Sequence, residues 1–282
     1  MTNSNSSEIS ISIPDGIKEM LEEKLIQPCV GIKKVYSWIF DYFNHQFNGS
    51  EIPGDFPIFI NELTAAFAEI KLKQIRTVGI DFPVLLSKGN NRPVLMICAM
   101  DPLRDETDGI TTSNDIGLWV PFSAINNPGK KGNNMKPSDK RNLSFFHTLL
   151  ETHDLYLTDA YKLFYREGKK MSNGQNEFKS LEVHSEILEK EIKLVNPSAI
   201  ISLGNAARNA ICGILKLEVP TWSDTVYKTK TQAGINVVMV PHISGSANGY
   251  KAPILKNVAY SNIEGENNPK YARIIASVIE KR

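Results

Sequence analysis

Residues 94–102 read Val-Leu-Met-Ile-Cys-Ala-Met-Asp-Pro, an apolar run from Val94 to Met100 closed by a carboxylate and a proline. The run is far shorter than the roughly 18 residues that a membrane span requires. Its abrupt polar end suits a strand buried on both faces of a sheet. Similar short apolar runs follow at Gly117–Phe122, Asp154–Thr158, Ala199–Leu203 and Ile235–Val240. Between them lie stretches with helical spacing, at Leu143–Thr152, Leu181–Leu194, Asn205–Leu215 and Tyr271–Glu280. Apolar strands alternating with helices predict an α/β fold, a three-layer α/β/α arrangement around a short, mainly parallel sheet.

Working outward, the Asn- and Ser-rich start predicts a disordered polar tail over residues 1–12. Apolar positions at helical spacing in Gly16–Phe47 and Asn61–Ile75 predict a helical extension over residues 13–90, and the α/β domain then occupies 91–282. Hydrophobic residues make up 41% of the 282 and charged residues 22%, which excludes collagen, wholesale disorder and coiled coil. Residues 1–10 show neither a basic n-region nor an apolar h-region, so the expected place is the cytoplasm, with no membrane contact and a monomeric state.

The charges nearly cancel, 32 Lys and Arg against 31 Asp and Glu, so the chain as a whole is not a polyanion binder. One stretch is locally basic. Asn126–Asn142 carries Lys130, Lys131, Lys136, Lys140 and Arg141 against the single Asp139, and reads either as a solvated loop or as a phosphate-contacting one. Cys29, Cys98 and Cys212 are widely separated and form no CxxC pair, and the five histidines lack ligand spacing, so no metal is expected. Cys98 and Cys212 sit in apolar runs, as core cysteines do. No GxGxxG, GxxxxGK[ST] or GxSxG is present in the required frame, and no cofactor is expected.

In an open parallel sheet, ligands bind beyond the carboxyl ends of the strands. The residues that follow the predicted strands are Asp101, then Phe122 and Ser123, then Asp159, then Gly204 and Asn205, then His242 through Gly245. Two carboxylates, an imidazole and an aromatic ring are thus expected along one edge. Taken singly, either aspartate could cap the next helix and His242 could be a turn residue.

In order and spacing, these strand ends resemble the uracil-DNA glycosylase superfamily. Ala99-Met100-Asp101-Pro102-Leu103 is similar to its Gly-x-Asp-Pro-Tyr motif, and Gly117-Leu118-Trp119-Val120-Pro121-Phe122-Ser123 to its Gly-Leu-x-Phe-Ser motif with two extra residues. Lys136-Pro137-Ser138 stands at the family's Pro-Ser turn, and Asp159 ends the third strand where the family has asparagine. Pro197–Gly204 matches Pro-x-x-Ile-x-x-x-Leu-Gly, and His242-Ile243-Ser244-Gly245-Ser246-Ala247 stands at His-Pro-Ser-Pro-Leu-Ser. The resemblance covers roughly residues 90–260.

The resemblance implies a hydrolase that cleaves the N-glycosidic bond of a flipped or free nucleobase. Its partner would be single-stranded or damaged DNA, or a nucleotide-like ligand. Such cleavage builds positive charge on the sugar and negative charge on the departing base. By the resemblance, Asp101 supports the oxocarbenium ion and water, and His242 donates to the departing base. Phe122 stacks on the base, with Trp119 as its competitor, while Leu103 and Asp159 meet the base's edges. Ser123, Ser138, Ser244 and Ser246, with Lys130 and Lys131, would hold phosphates. Three positions depart from the family pattern: Leu103 replaces tyrosine, Asp159 replaces asparagine, and Ser246 replaces the apolar wedge. These departures keep two other readings open, a non-catalytic nucleic-acid-binding module and a hydrolase of a small nucleoside-like ligand.

Overall fold

The computed structural model describes residues 9–14, 16–25, 75–89, 91–100, 117–119, 121, 137–167, 170–171 and 182–281. Its elements in chain order are β1 (Ser10–Ser12), α1 (Ile17–Leu25), β2 (Ile75–Asp81), β3 (Val84–Ser87), β4 (Val94–Ala99), β5 (Gly117–Trp119), α2 (Pro137–Leu149) and β6 (Asp154–Asp159). There follow β7 (Leu163–Glu167), β8 (Lys170–Met171), α3 (Glu182–Val195), β9 (Ala199–Leu203), α4 (Asn205–Leu215), β10 (Tyr227–Lys230), β11 (Asn236–Val240), α5 (Asn248–Lys256) and α6 (Asn267–Glu280).

The main sheet has the order β1-β3-β6-β4-β9-β11-β10. Its centre, β6-β4-β9-β11, is parallel throughout, and the outer strands β3, β1 and β10 are antiparallel. Alternation along each strand sends side chains to opposite faces. Leu95, Ile97, Leu155, Leu157, Ile201, Val238 and Val240 pack on one side with apolar residues of α2, α5 and α6. Met96, Cys98, Tyr156, Ile200, Val237 and Met239 pack on the other with α3 and α4. The result is the three-layer α/β/α sandwich that the strand–helix alternation predicts. Cys98 and Cys212 are buried free thiols in the second of these cores.

The helices start and stop for local reasons. In α3, Ile187, Leu188 and Ile192 form the buried stripe, and the helix ends where Asn196 turns left-handed (φ 46°) ahead of Pro197. In α4, Ala207, Ile211 and Cys212 are buried, and Lys216 closes the helix in the left-handed region with its N–H on the Cys212 carbonyl.

Three sequence expectations are corrected. Residues 10–12 form a sheet strand rather than part of a disordered tail. Residues 75–81 and 84–87 are strands within a stretch expected to be helical, and β3 is hydrogen-bonded to β6 in the main sheet. Their sequences hide this: β2 is broken by Gly79, where its register on β7 shifts, and β3 is only four residues long. Lastly, Gly117–Trp119 does not join the parallel sheet. It pairs with β2 in a second sheet ordered β5-β2-β7-β8, because β2 offers the free edge that the filled centre of the main sheet lacks. Of the expected N-terminal helices, residues 17–25 are helical, and residues 26–74 lie outside the described residues. Among the described residues, no helix is long and apolar enough to cross a membrane.

Candidate active site at the carboxyl edge of the sheet

The four parallel strands end in register along one edge. Asp159, the last residue of β6, lies opposite Ala99 of β4, and Val240 of β11 lies opposite Leu203 of β9. Backbone bonds stitch these ends together. Ala160 N–H donates to the Ala99 carbonyl (2.9 Å) and Tyr161 N–H to the Met100 carbonyl (3.0 Å). Residues 99 and 100 are therefore tied to the turn that leaves Asp159. At the other end, Gly204 N–H donates to the Val240 carbonyl (2.9 Å).

Gly204 is needed there twice over. Its φ is +88°, and a β-carbon on it would lie 3.4 Å from the β-carbon of His242. The peptide preceding His242 is held from below, where the buried Tyr271 hydroxyl donates to the Pro241 carbonyl (3.1 Å).

The His242 ring has a defined tautomer. Ser244 N–H donates to its Nδ1 (3.1 Å), so in the neutral ring the proton sits on Nε2. Burial, with Lys251 nearby, lowers the imidazole's pKa to about 4. At neutral pH the side chain is thus an uncharged Nε2–H donor. Beyond it, Ser244 and Ser246 share a hydroxyl–hydroxyl hydrogen bond (2.8 Å), with Ser246 exposed at the rim.

Asp159 is 1% exposed. Behind it lies a polar network that no sequence motif marks. Lys162 and Glu191 form an ion pair (2.9 Å) with both side chains almost fully buried. The Lys162 ammonium also donates to Thr158 Oγ1 and to the Asp159 carbonyl, and Thr158 Oγ1 donates to Glu191 (3.0 Å). The Lys162 N–H meets His184 Nδ1 (3.4 Å), and the Lys162 carbonyl accepts from Asp81 N–H (2.9 Å). Burial and the Lys162 charge together lower the His184 imidazole's pKa to about 4. Residues 29 positions apart on β6's exit and α3 build this cluster. No periodicity links them, so only the fold reveals them.

The other sequence-predicted residues fall as follows. Trp119 ends β5 and lies opposite Asp81, whose N–H meets Lys162, so the tip of the second sheet adjoins the Asp159 turn. Ser138 lies in the first turn of α2. Residues 137–142 of the expected basic loop are helix, with Arg141 exposed on α2. Asp101, Leu103, Phe122, Ser123, Lys130 and Lys131 lie outside the described residues.

A parallel-centred α/β/α sandwich with an imidazole donor and a buried carboxylate at its carboxyl edge defines a class of ligand-binding α/β proteins. The family model of the uracil DNA glycosylase superfamily matches residues 87–262, which is most of the chain. The protein belongs to that superfamily. No curated protein matches it significantly.

Proposed function

We propose that the protein is an N-glycosylase acting in the cytoplasm on a base in single-stranded or damaged DNA, or in a nucleotide-like ligand. The observation that carries this reading is the state of His242. A neutral ring with its proton on Nε2 can donate to a base oxygen as negative charge develops there, with no reorganisation at the moment of cleavage. Membership of the superfamily supports the hydrolase class.

In this reading Asp101 faces the sugar, stabilises the oxocarbenium ion and orients the attacking water. Phe122 or Trp119 stacks on the base, with Leu103 at its edge. Ser123, Ser138, Ser244 and Ser246, with Lys130 and Lys131, hold flanking phosphates. Asp159 reads the base. An ionised carboxylate only accepts hydrogen bonds, so it suits a base edge with two adjacent donors better than uracil, whose N3–H is flanked by acceptors. The mismatch with uracil O4 costs on the order of 1–3 kcal/mol.

The test incubates the full-length protein with duplex and single-stranded oligonucleotides carrying uracil or other altered bases and scores abasic sites. Asp101→Asn is expected to lower excision about 10²–10⁴-fold without a change in melting temperature. Asp159→Asn is expected to raise excision of uracil relative to the wild type. A wild-type protein that releases no base from any of these substrates, or an Asp101→Asn variant at full rate, overturns the enzyme reading.

A further inference from the structure

The last two residues of β6 are gripped on one face of the sheet and presented on the other. Alternation turns Thr158 toward α3, where Glu191 accepts from its hydroxyl, and Asp159 toward the opposite face, the side of Leu155 and Leu157. On the α3 side the Lys162 ammonium is fully buried and donates to Thr158 Oγ1, to the Asp159 carbonyl and to Glu191. Its main chain is fixed too, the N–H by His184 Nδ1 (3.4 Å) and the carbonyl by Asp81 N–H (2.9 Å). Three elements thus pin one residue whose cation sits directly behind the main chain of Asp159.

Replacing a buried ion pair by apolar side chains of similar volume is often neutral or stabilising, so stability alone does not account for Lys162 and Glu191. What the arrangement supplies is a fixed orientation for Asp159 and a positive charge that favours the ionised form of a neighbouring carboxylate.

Along the same edge, β6 and β11 are separated by β4 and β9. Three interstrand steps of about 4.8 Å put their ends roughly 14 Å apart, so one base can lie between the Asp159 and His242 side chains. An ionised Asp159 offers two acceptors, and His242 offers one donor, its Nε2–H. The complementary base has a ring N–H beside an amino group and acceptors elsewhere on the ring. Guanine has that pattern: N1–H stands next to the 2-amino group, and O6, N3 and N7 accept. Hypoxanthine lacks the amino group, and uracil flanks its N3–H with two oxygens.

We propose that the site reads a guanine-type base, with Lys162 as the positioning residue that holds Asp159 as a two-acceptor edge and Glu191 as the counterion that keeps Lys162 in place. The assignment rests on the reading of Asp159 as the base-contacting residue. The ligand is the guanine edge, carried either by a single strand of DNA or by a free nucleotide.

The experiment measures affinity of the full-length protein for short oligothymidylates with one central guanine, hypoxanthine or uracil, and for guanosine and inosine 5′-monophosphates. The wild type is expected to prefer guanine to hypoxanthine by about 10-fold or more, as a bidentate base contact does. Lys162→Met with Glu191→Leu, which removes both charges together, is expected to cut that preference to less than about 2-fold, since the second hydrogen bond no longer meets a fixed anion. Urea unfolding checks that the variant folds. A second pair, Lys162→Gln with Glu191→Gln, keeps polar side chains without the charges and is expected to lose the preference equally. A merely structural ion pair would change both affinities alike, so a wild-type ratio in the folded variants overturns the role of Lys162. Asp159→Asn is expected to favour hypoxanthine and uracil over guanine. If the mononucleotides share the preference, the site takes free guanine nucleotides, and if only the strands do, it reads the base in DNA. Equal wild-type affinity for guanine and hypoxanthine in both forms overturns the inference. Base release from the same strands is assayed separately. A guanine preference in a protein that releases no base ends the glycosylase reading alone, and base release with no guanine preference ends this one alone.

Discussion

Lys162 and Lys251 are both buried lysines within reach of the candidate site, and the fold treats them in opposite ways. Lys162 is neutralised inside the protein by Glu191 and spends its other donors on Thr158 and the Asp159 carbonyl. Among the described residues, Lys251 has only neutral acceptors and a like-charged neighbour, Arg141. The first pair is complete without any ligand and acts as a strut for the turn that carries Asp159. The second leaves positive charge unspent on the side where His242, Ser244 and Ser246 open outward. The difference separates a group that holds the site together from one that awaits a partner.

Removing one side of the complete pair has the largest expected effect. Lys162→Met leaves Glu191 buried and uncompensated, a loss of about 3–5 kcal/mol. The double change Lys162→Met with Glu191→Leu removes both charges and is expected to recover most of that loss. Urea unfolding of the wild type and both variants checks this. If the single variant unfolds at the wild-type midpoint, the strut role of Lys162 fails and the contrast with Lys251 disappears.

The same contrast explains how far the sequence could be read. The central strands were legible because each is an apolar run several residues long that ends on a polar residue, as Val94–Ala99 and Ala199–Leu203 do. Asp159 and His242 were legible because they follow such runs, and the sheet carries both to one edge. The strands outside the parallel centre were not: Ser10–Ser12 is only three residues long, and β2 contains Arg76, Thr77 and Gly79. Their strand character comes from partners distant in sequence, which propensity does not report. Arg141 appeared in the sequence as one of several basic residues. Its pairing with Lys251, more than a hundred positions later, depends on α2 and α5 packing on the same side of the sheet. Likewise Lys162 and Glu191 are an ordinary surface lysine and glutamate by composition, and only the packing of α3 buries them.

The unspent charge also predicts a pH dependence. The folded protein releases the Lys251 proton near pH 8, whereas the unfolded chain keeps it to about 10.5. Between these values the unfolded state binds more protons, so stability rises with pH across that window. The cost of the charged ammonium is fully present below pH 8. At 1.36 kcal/mol per unit, the gain has an upper bound of about 3 kcal/mol. The quantity to measure is the slope of unfolding free energy against pH in wild type minus that in Lys251→Met, which cancels other lysines and tyrosines. Saturating phosphate is expected to flatten the slope, because a bound anion stabilises the ammonium. A difference slope of zero in phosphate-free buffer would place Lys251 with Lys162 as a satisfied group.

The smallest expected effect sharpens the comparison most. Arg141 is exposed and makes no ion pair among the described residues, so Arg141→Gln in phosphate-free buffer is expected to change stability by no more than about 0.5 kcal/mol. If it changes at all it should gain, because the substitution removes a like charge from beside Lys251. Adding phosphate should then separate the two proteins: the wild type gains stability as the anion binds the folded state, and the variant gains less. Thermal unfolding with and without phosphate measures both quantities. A large loss of stability in the absence of phosphate would mean that the guanidinium is already satisfied within the fold. It would then be a second strut like Lys162, and the division between held charge and waiting charge would be wrong at the residue on which it most depends.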